Sequence, residues 1–243
     1  MRINKFLTLC GLGSRRKVEE LITAGRICRN GTPLKKLGTV IDPENDTITF
    51  DGRIIKMSED SCYLILNKPR GYVTTFSDEK GRPTVMELIP EKYRRIGVFP
   101  VGRLDMDTEG LLLLTNDGEL AQRLNHPRFK VSKRYLVELD KPLQEEDKKK
   151  IQKGIFVHQI GIKTRPVRIN PSGMSKKFFT ITLKEGKKRQ IRYTFKNFGY
   201  RVVKLRRVAY GPLTLENVNK GEIRPLKAKE VRLLEKFVSG ESE

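Results

Sequence analysis

The chain has no tryptophan, two histidines and three cysteines in 243 residues. His126 and His158 stand isolated, so a histidine-centred triad has no candidate. Cys10, Cys28 and Cys62 form an odd set without a C-x-x-C pair, which outlines neither a disulfide framework nor a zinc knuckle. A reducing, cytoplasmic setting is expected. Met1-Arg2-Ile3-Asn4-Lys5 lacks the long apolar segment of a signal peptide. The longest aliphatic run, Leu111 to Leu114, is far too short for a bilayer, so no membrane association is expected. Gly11-Leu12-Gly13 is not completed to G-x-G-x-x-G, because position 16 is Arg, and no dinucleotide cradle is visible.

Acidic residues are scarce too. The 29 Asp and Glu face 50 Lys and Arg, giving a formal charge of +21 and a pI near 10.0. Such a surplus points to a polyanionic partner, with nucleic acid first among candidates. Composition alone leaves open a basic, ribosome-associated protein without chemistry.

The pattern divides the chain in two. Ile3, Phe6, Leu7 and Cys10 recur at i, i+3, i+4, i+7, one face of a helix that Gly11 and Gly13 stop. Ser14 can cap a second helix with Val18, Leu21 and Ile22 as its buried stripe and Gly25 as its left-handed end. Arg15, Arg16 and Lys17 occupy that helix's first turn, where cations oppose the macrodipole and a bound phosphate would relieve them. Ile27-Cys28-Arg29 and Ile48-Thr49-Phe50, with the turn pairs Asn30-Gly31 and Asp51-Gly52, predict short strands. Residues 2–36 hold nine basic side chains against two acidic ones, so the helix pair is the cationic side of this ααβ unit. Ser14-Arg15-Arg16-Lys17, Gly25-Arg26 and Asn30-Gly31 resemble the S4 RNA-binding domain, which implies RNA contacts from Arg15, Arg16, Lys17 and Arg26.

The chain turns polar over residues 57–62, so an N-terminal domain of residues 1–58 and a larger one of residues 62–243 are expected. In the second, strands are predicted over Ile96–Val101, Leu111–Thr115, Tyr135–Leu139, Phe178–Leu183 and Arg201–Leu205. Helices are predicted over Glu119–Asn125, Gln144–Lys153 and Arg189–Asn197. Their irregular alternation is an α+β pattern, not a doubly wound parallel sheet.

Between two of these strands runs Gly102-Arg103-Leu104-Asp105-Met106-Asp107-Thr108-Glu109-Gly110. Acids at every second position followed by Gly suggest a calcium loop, but position 12 would be Asn116 where a bidentate Glu is required. The entering segment also carries Gly97 and Pro100 where a helix should stand. No metal site is expected, and a carboxylate acting directly is what remains. Ile191, Thr194, Phe195 and Phe198 mark one face of the later helix, with Arg189, Arg192 and Lys196 on another. Residues 184–207 hold ten basic groups against the single acid Glu185, a density that fits an RNA track.

Gly102-Arg103-Leu104-Asp105 with Thr108-Glu109-Gly110-Leu111-Leu112-Leu113-Leu114-Thr115-Asn116-Asp117-Gly118 resembles the signature of the RsuA/RluB/RluE/RluF group of ribosomal RNA pseudouridine synthases. Asn67-Lys68-Pro69-Arg70-Gly71, Lys133-Arg134-Tyr135 and Gly186-Lys187-Lys188-Arg189-Gln190-Ile191-Arg192 match in the same order, so the likeness covers nearly the whole chain. It implies a catalytic domain with a mixed, mainly antiparallel sheet, and isomerisation of uridine to pseudouridine without a cofactor. It also implies Asp105 as nucleophile, Arg192 as the cation holding it ionised and Tyr135 as the ring stacking on the base. Arg103, Leu104, Leu205, Arg189 and Gln190 would bind the substrate nucleotide, with Lys187 and Lys188 on the RNA backbone. The partner would be ribosomal RNA or an assembling ribosomal subunit, met by a monomer. Val73-Thr74-Thr75 and Gly81-Arg82-Pro83-Thr84 lean toward the RluB branch and large-subunit RNA. Many relatives follow Gln190-Ile191-Arg192 with Arg and Met, however, where this chain has Tyr193-Thr194, which bears on the substrate. Small-subunit RNA, or an assembly factor that kept the fold without catalysis, is the alternative.

Overall fold

The computed structural model describes residues 1–58 and 60–239. α1 (Ile3–Leu9) buries Ile3, Phe6 and Leu7, and α2 (Arg15–Thr23) buries Val18, Leu21 and Ile22. The Ser14 hydroxyl accepts from the Lys17 amide at 3.2 Å, which satisfies one of the free amides at the start of α2. β1 (Ile27–Arg29), β2 (Thr32–Pro33), β3 (Ile48–Phe50) and β4 (Arg53–Ile54) form a sheet in the order β2-β1-β3-β4. It closes over the helices around Ile27, Ile41 and Ile48.

The second part begins with β5 (Tyr63–Lys68). It continues through α3 (Glu91–Arg95), β6 (Phe99–Pro100), β7 (Glu109–Thr115), α4 (Gly118–Asn125), β8 (Lys133–Leu139), α5 (Glu145–Lys153), β9 (Phe156–Val157) and β10 (Ile162–Lys163). β11 (Arg168–Pro171), β12 (Phe178–Leu183), α6 (Gln190–Lys196), β13 (Val202–Tyr210), β14 (Leu213–Thr214), β15 (Ile223–Pro225) and α7 (Ala228–Ser239) complete it. Nine of these strands build one sheet along the path β11-β12-β8-β13-β7-β5-β15, with β14 on β13 and β6 on β7. Its pairings are antiparallel except β13 with β7. This is the mixed, mainly antiparallel α+β domain behind a small helical module that the sequence suggested.

The run Leu111-Leu112-Leu113-Leu114 shows why β7 is apolar without alternation. Leu112 and Leu114 enter the core on one face with Leu66 and Val137, while Leu111 and Leu113 enter the other with Leu120 and Leu234. A strand covered on both sides needs apolar residues at both parities, and each buried Leu contributes roughly 2 kcal/mol over its exposed state. Gly110 opens β7 where β13 comes closest: a Cβ there would lie 2.2 Å from the Arg207 carbonyl oxygen.

The predicted strand over Ile96–Val101 is shorter than expected. α3 occupies Glu91–Arg95, and only Phe99–Pro100 pairs with β7. Gly97, at φ +73, turns the chain where it meets the N-terminal module; a Cβ on it would sit 2.1 Å from the Leu9 carbonyl oxygen. The stretch predicted over Arg201–Leu205 runs on to Tyr210, and α7 was not anticipated.

Candidate active site

Asp105 lies in the loop between β6 and β7, fixed from behind by the Asn67-Lys68-Pro69-Arg70-Gly71 segment. The Lys68 ammonium, fully buried, donates to the carbonyl oxygens of Pro69, Asp105 and Thr108 at 2.9, 3.2 and 3.0 Å. Burial pushes its pKa down to about 8 against the opposing pull of Asp107, Asp105 and Glu109. The Thr74 hydroxyl donates to the Leu104 carbonyl (2.8 Å) and receives the Leu104 amide (3.2 Å), and the Gly71 amide donates to Met106 O (2.9 Å). The Arg70 Nε adds a bond to the Asp107 carbonyl at 3.2 Å, so the loop backbone is held from several points of the preceding chain. Arg103, Leu104, Asp105 and Thr108 of the loop line the cavity in front.

The charges are arranged differently from expectation. Arg192 does not pair with Asp105: its Nε lies 3.1 Å from Asp107 Oδ2, a charge contact without hydrogen-bond alignment. Its other nitrogens donate to the carbonyls of Val202 and Asp107, both at 2.9 Å. Arg189, at φ +52 ahead of α6, grips the Asp107 carboxylate with two bonds of 3.0 and 2.9 Å. It is also the cation that reaches Asp105, Nη1 to Oδ2 at 4.0 Å. The reason is geometric: Arg192 is tied to backbone oxygens on two sides, whereas Arg189 precedes the helix and spans the two acids. Burial raises the Asp107 pKa, but the Arg189 bonds and the charges of Arg192 and Arg189 outweigh it and hold the group below the usual carboxylate value.

A cavity of about 410 Å³ opens in front of Asp105. That is within the range of small-ligand sites, roughly 300–1,000 Å³. Arg103, Leu104, Tyr135, Lys187, Lys188, Arg189, Gln190 and Leu205 line it together with Asp105, so those predicted residues converge, whereas Arg192 sits behind Asp107 and is not in the lining. Gln190 is buried and bridges the Lys187 amide (3.2 Å) to Glu185 (2.6 Å), which shapes the loop before α6. Arg15, Arg16, Lys17 and Arg26 lie on the N-terminal module, apart from this cavity. There Arg16 pairs with Glu79 of the larger part, Lys17 with Glu20 at 3.0 Å, and Arg26 with Asp51.

Four residues of the site had been given no role: Lys68, Asp107, Lys133 and Arg207. Lys68 lies in Asn67-Lys68-Pro69-Arg70-Gly71 and Lys133 in Lys133-Arg134-Tyr135, and Asp107 is one of the alternating acids of its loop. For Lys133 and Arg207 the signal is a charged residue on the buried parity of β8 and β13; Lys68 is a charged residue closing a strand buried on both faces, and Asp107, in a loop, carries no such signal.

The fold agrees with comparisons to known proteins. The S4 domain profile matches residues 1–48, and that of the RNA pseudouridylate synthases matches residues 62–197. A protein of Aquifex aeolicus (strain VF5), an uncharacterized RNA pseudouridine synthase, is 41% identical over 98% of this chain and 95% of its own length. The ribosomal large subunit pseudouridine synthase B of Bacillus subtilis (strain 168) is 37% identical over 96% and 95%. A crystal structure of a pseudouridylate synthase superposes with a TM-score of 0.70 at 29% identity, covering 96% of this chain and 99% of that one. The chain belongs to the RNA pseudouridylate synthase family, with an S4 domain ahead of the synthase domain.

Proposed function

We propose that this protein isomerises a uridine of ribosomal RNA to pseudouridine, that its target lies in the large subunit, and that Asp105 is the nucleophile. The observation that carries the reading is the placement of Asp105 at a nucleoside-sized cavity, with Tyr135 on the wall and Arg189 reaching the carboxylate. An aromatic face suits an extruded uracil, and a cation beside the carboxylate favours its ionised form. Arg103, Leu104 and Leu205 line the space for the nucleotide, and Lys187 and Lys188 extend the cationic rim. Arg192 acts in this scheme through Asp107, as a positioning residue. Arg15, Arg16, Lys17 and Arg26 on the S4 domain supply further phosphate contacts. The large-subunit assignment and RluB-like branch rest on the Bacillus subtilis relative and on Val73-Thr74-Thr75 and Gly81-Arg82-Pro83-Thr84. The protein acts in this reading as a monomer in the cytoplasm.

Unmodified large- and small-subunit RNA, free and in assembly intermediates, should be incubated with the protein and mapped for carbodiimide-dependent primer-extension stops. A new stop in large-subunit RNA, absent with Asp105→Asn, is the expected result. A stop only in small-subunit RNA reassigns the target, and no stop with any RNA leaves a binding protein without catalysis.

A further inference from the structure

Lys133 and Tyr135 stand at alternate positions of β8, Leu205 and Arg207 at alternate positions of β13, and the register sets Arg207 opposite Tyr135. All four line the cavity in front of Asp105. Arg207 is only 2% exposed; its Nε donates to the Leu111 carbonyl at 2.7 Å, and its Nη2 has no partner. The Lys133 ammonium meets only the Val131 carbonyl, at 3.3 Å, and stands 5.7 Å from the Tyr210 ring centroid, with the Arg207 guanidinium 5.0 Å from the same ring. Among the described residues neither cation has a carboxylate oxygen within 4.0 Å. The acid facing Lys133 is Glu185, already engaged by the Gln190 amide at 2.6 Å and the Arg165 backbone amide at 3.0 Å. Two like charges, one buried and one half-buried, without a close counter-charge are costly unless an anion joins them.

The proposed isomerisation, on which this inference rests, generates such an anion. Uracil is neutral in substrate and product. When the N1–C1′ bond breaks, its electron pair leaves with the ring and spreads over N1, O2 and O4. C1′ gains a bond to the Asp105 carboxylate, or the carboxylate takes the C2′ proton and a C1′–C2′ double bond forms. C5 then bonds to C1′ as the carboxylate departs or returns the proton; the C5 proton is lost and N1 takes one up. On both routes the ring carries its charge only between substrate and product. We infer that Arg207 and Lys133 are catalytic residues that take up the negative charge of the detached uracil. Their position favours the base over a backbone phosphate: Arg207 lies across from the ring proposed to stack on uracil, beside the buried side chains of Leu104 and Leu205. Charge present only after bond breaking is where fixed cations accelerate a reaction.

The test compares Arg207→Gln and Lys133→Met with wild type on RNA carrying uridine or 5-fluorouridine at the mapped site. The fluorinated base is the more acidic leaving group, so it depends less on the cations. Single-turnover loss of the original nucleoside is read in nuclease digests, with thermal melting and RNA affinity measured alongside. The expected outcome is a loss of about 100-fold on uridine for Arg207→Gln, shrinking by about tenfold on 5-fluorouridine, at unchanged RNA affinity. Lys133→Met, at a less buried site, should show the same pattern, and carries the test if Arg207→Gln does not fold. Equal losses on both nucleosides, or weaker RNA binding with an unchanged single-turnover rate as a phosphate site would give, overturn the proposal. Unimpaired variants beside an active wild type overturn it alone; a wild type inactive on every RNA overturns instead the isomerase reading beneath it.

Discussion

The N-terminal module and the cavity of the larger domain use the same residue types in opposite surroundings. On the module, the Arg26–Asp51 pair leaves its side chains 46% and 44% exposed, and the Arg16–Glu79 pair 84% and 83%. Exposed pairs like these contribute little to stability, about 0 to 1 kcal/mol, and exchange readily for phosphate with release of counterions. Around the cavity, Arg207 of its wall and Lys68 behind the loop are essentially inaccessible, and the side chain of Arg192 behind Asp107 is 12% exposed. There, charge is fixed in place before any RNA arrives. The first arrangement gives affinity that depends on salt; the second gives an electrostatic field with little reorganisation to perform during reaction.

The contrast breaks most sharply at Asp105. Asp105→Asn should lower the single-turnover rate by at least about 10⁴-fold while RNA affinity stays near wild type, measured by pseudouridine yield and filter binding. Comparable activity in that variant would remove Asp105 from the mechanism. Arg189→Met comes next: without the bidentate clamp on Asp107 and the cation near Asp105, the rate should fall by about 100-fold. Arg189→Lys should recover only part of this, because one ammonium cannot reproduce the fork. A smaller and different effect belongs to the module. Replacing Arg15, Arg16 and Lys17 together by Gln should flatten the salt dependence of binding by about 2 units of slope, at roughly 0.7 per single-strand phosphate contact. The rate at saturating RNA should not change.

The smallest effect concerns pH and Asp107. Its carboxyl is held below the ordinary value of 3.8, so its contribution to stability is complete above that value and is lost as pH falls through the folded value. The stability difference between wild type and Asp107→Asn, from urea midpoints, should therefore be constant near neutrality and shrink in acid. The group is about a third exposed, so the change is modest.

Much of this architecture was legible because its causes are local. Ser14 as a cap, Gly25 as a left-handed end and the spacing of Val18, Leu21 and Ile22 define α2 without reference to the rest of the chain. The β7 strand and its preceding loop stood out through four consecutive leucines and the acids beside them. Ile96–Val101 read wrongly for the converse reason: its apolar residues serve a turn against the N-terminal module and a two-residue strand, and neither has a local signature. Strand parity marked Lys133 and Arg207 as buried charges but could not bring them together at the cavity, because that depends on pairing between strands some seventy positions apart.

By itself the sequence determined the charge surplus, the order of the longer strands and helices around the motifs, the small module ahead of the larger domain and the motif that singles out Asp105. These are matters of composition and short-range spacing. Only the tertiary structure decided that Asp107 receives Arg189 and Arg192, that Arg189 is the cation reaching Asp105, and that Lys68 ties the loop from behind. Those outcomes depend on strand register and helix placement, which bring distant segments within 3 or 4 Å. Charges that answer one another at such distances are selected by the packed core around them, and the chain's local pattern carries no trace of that choice.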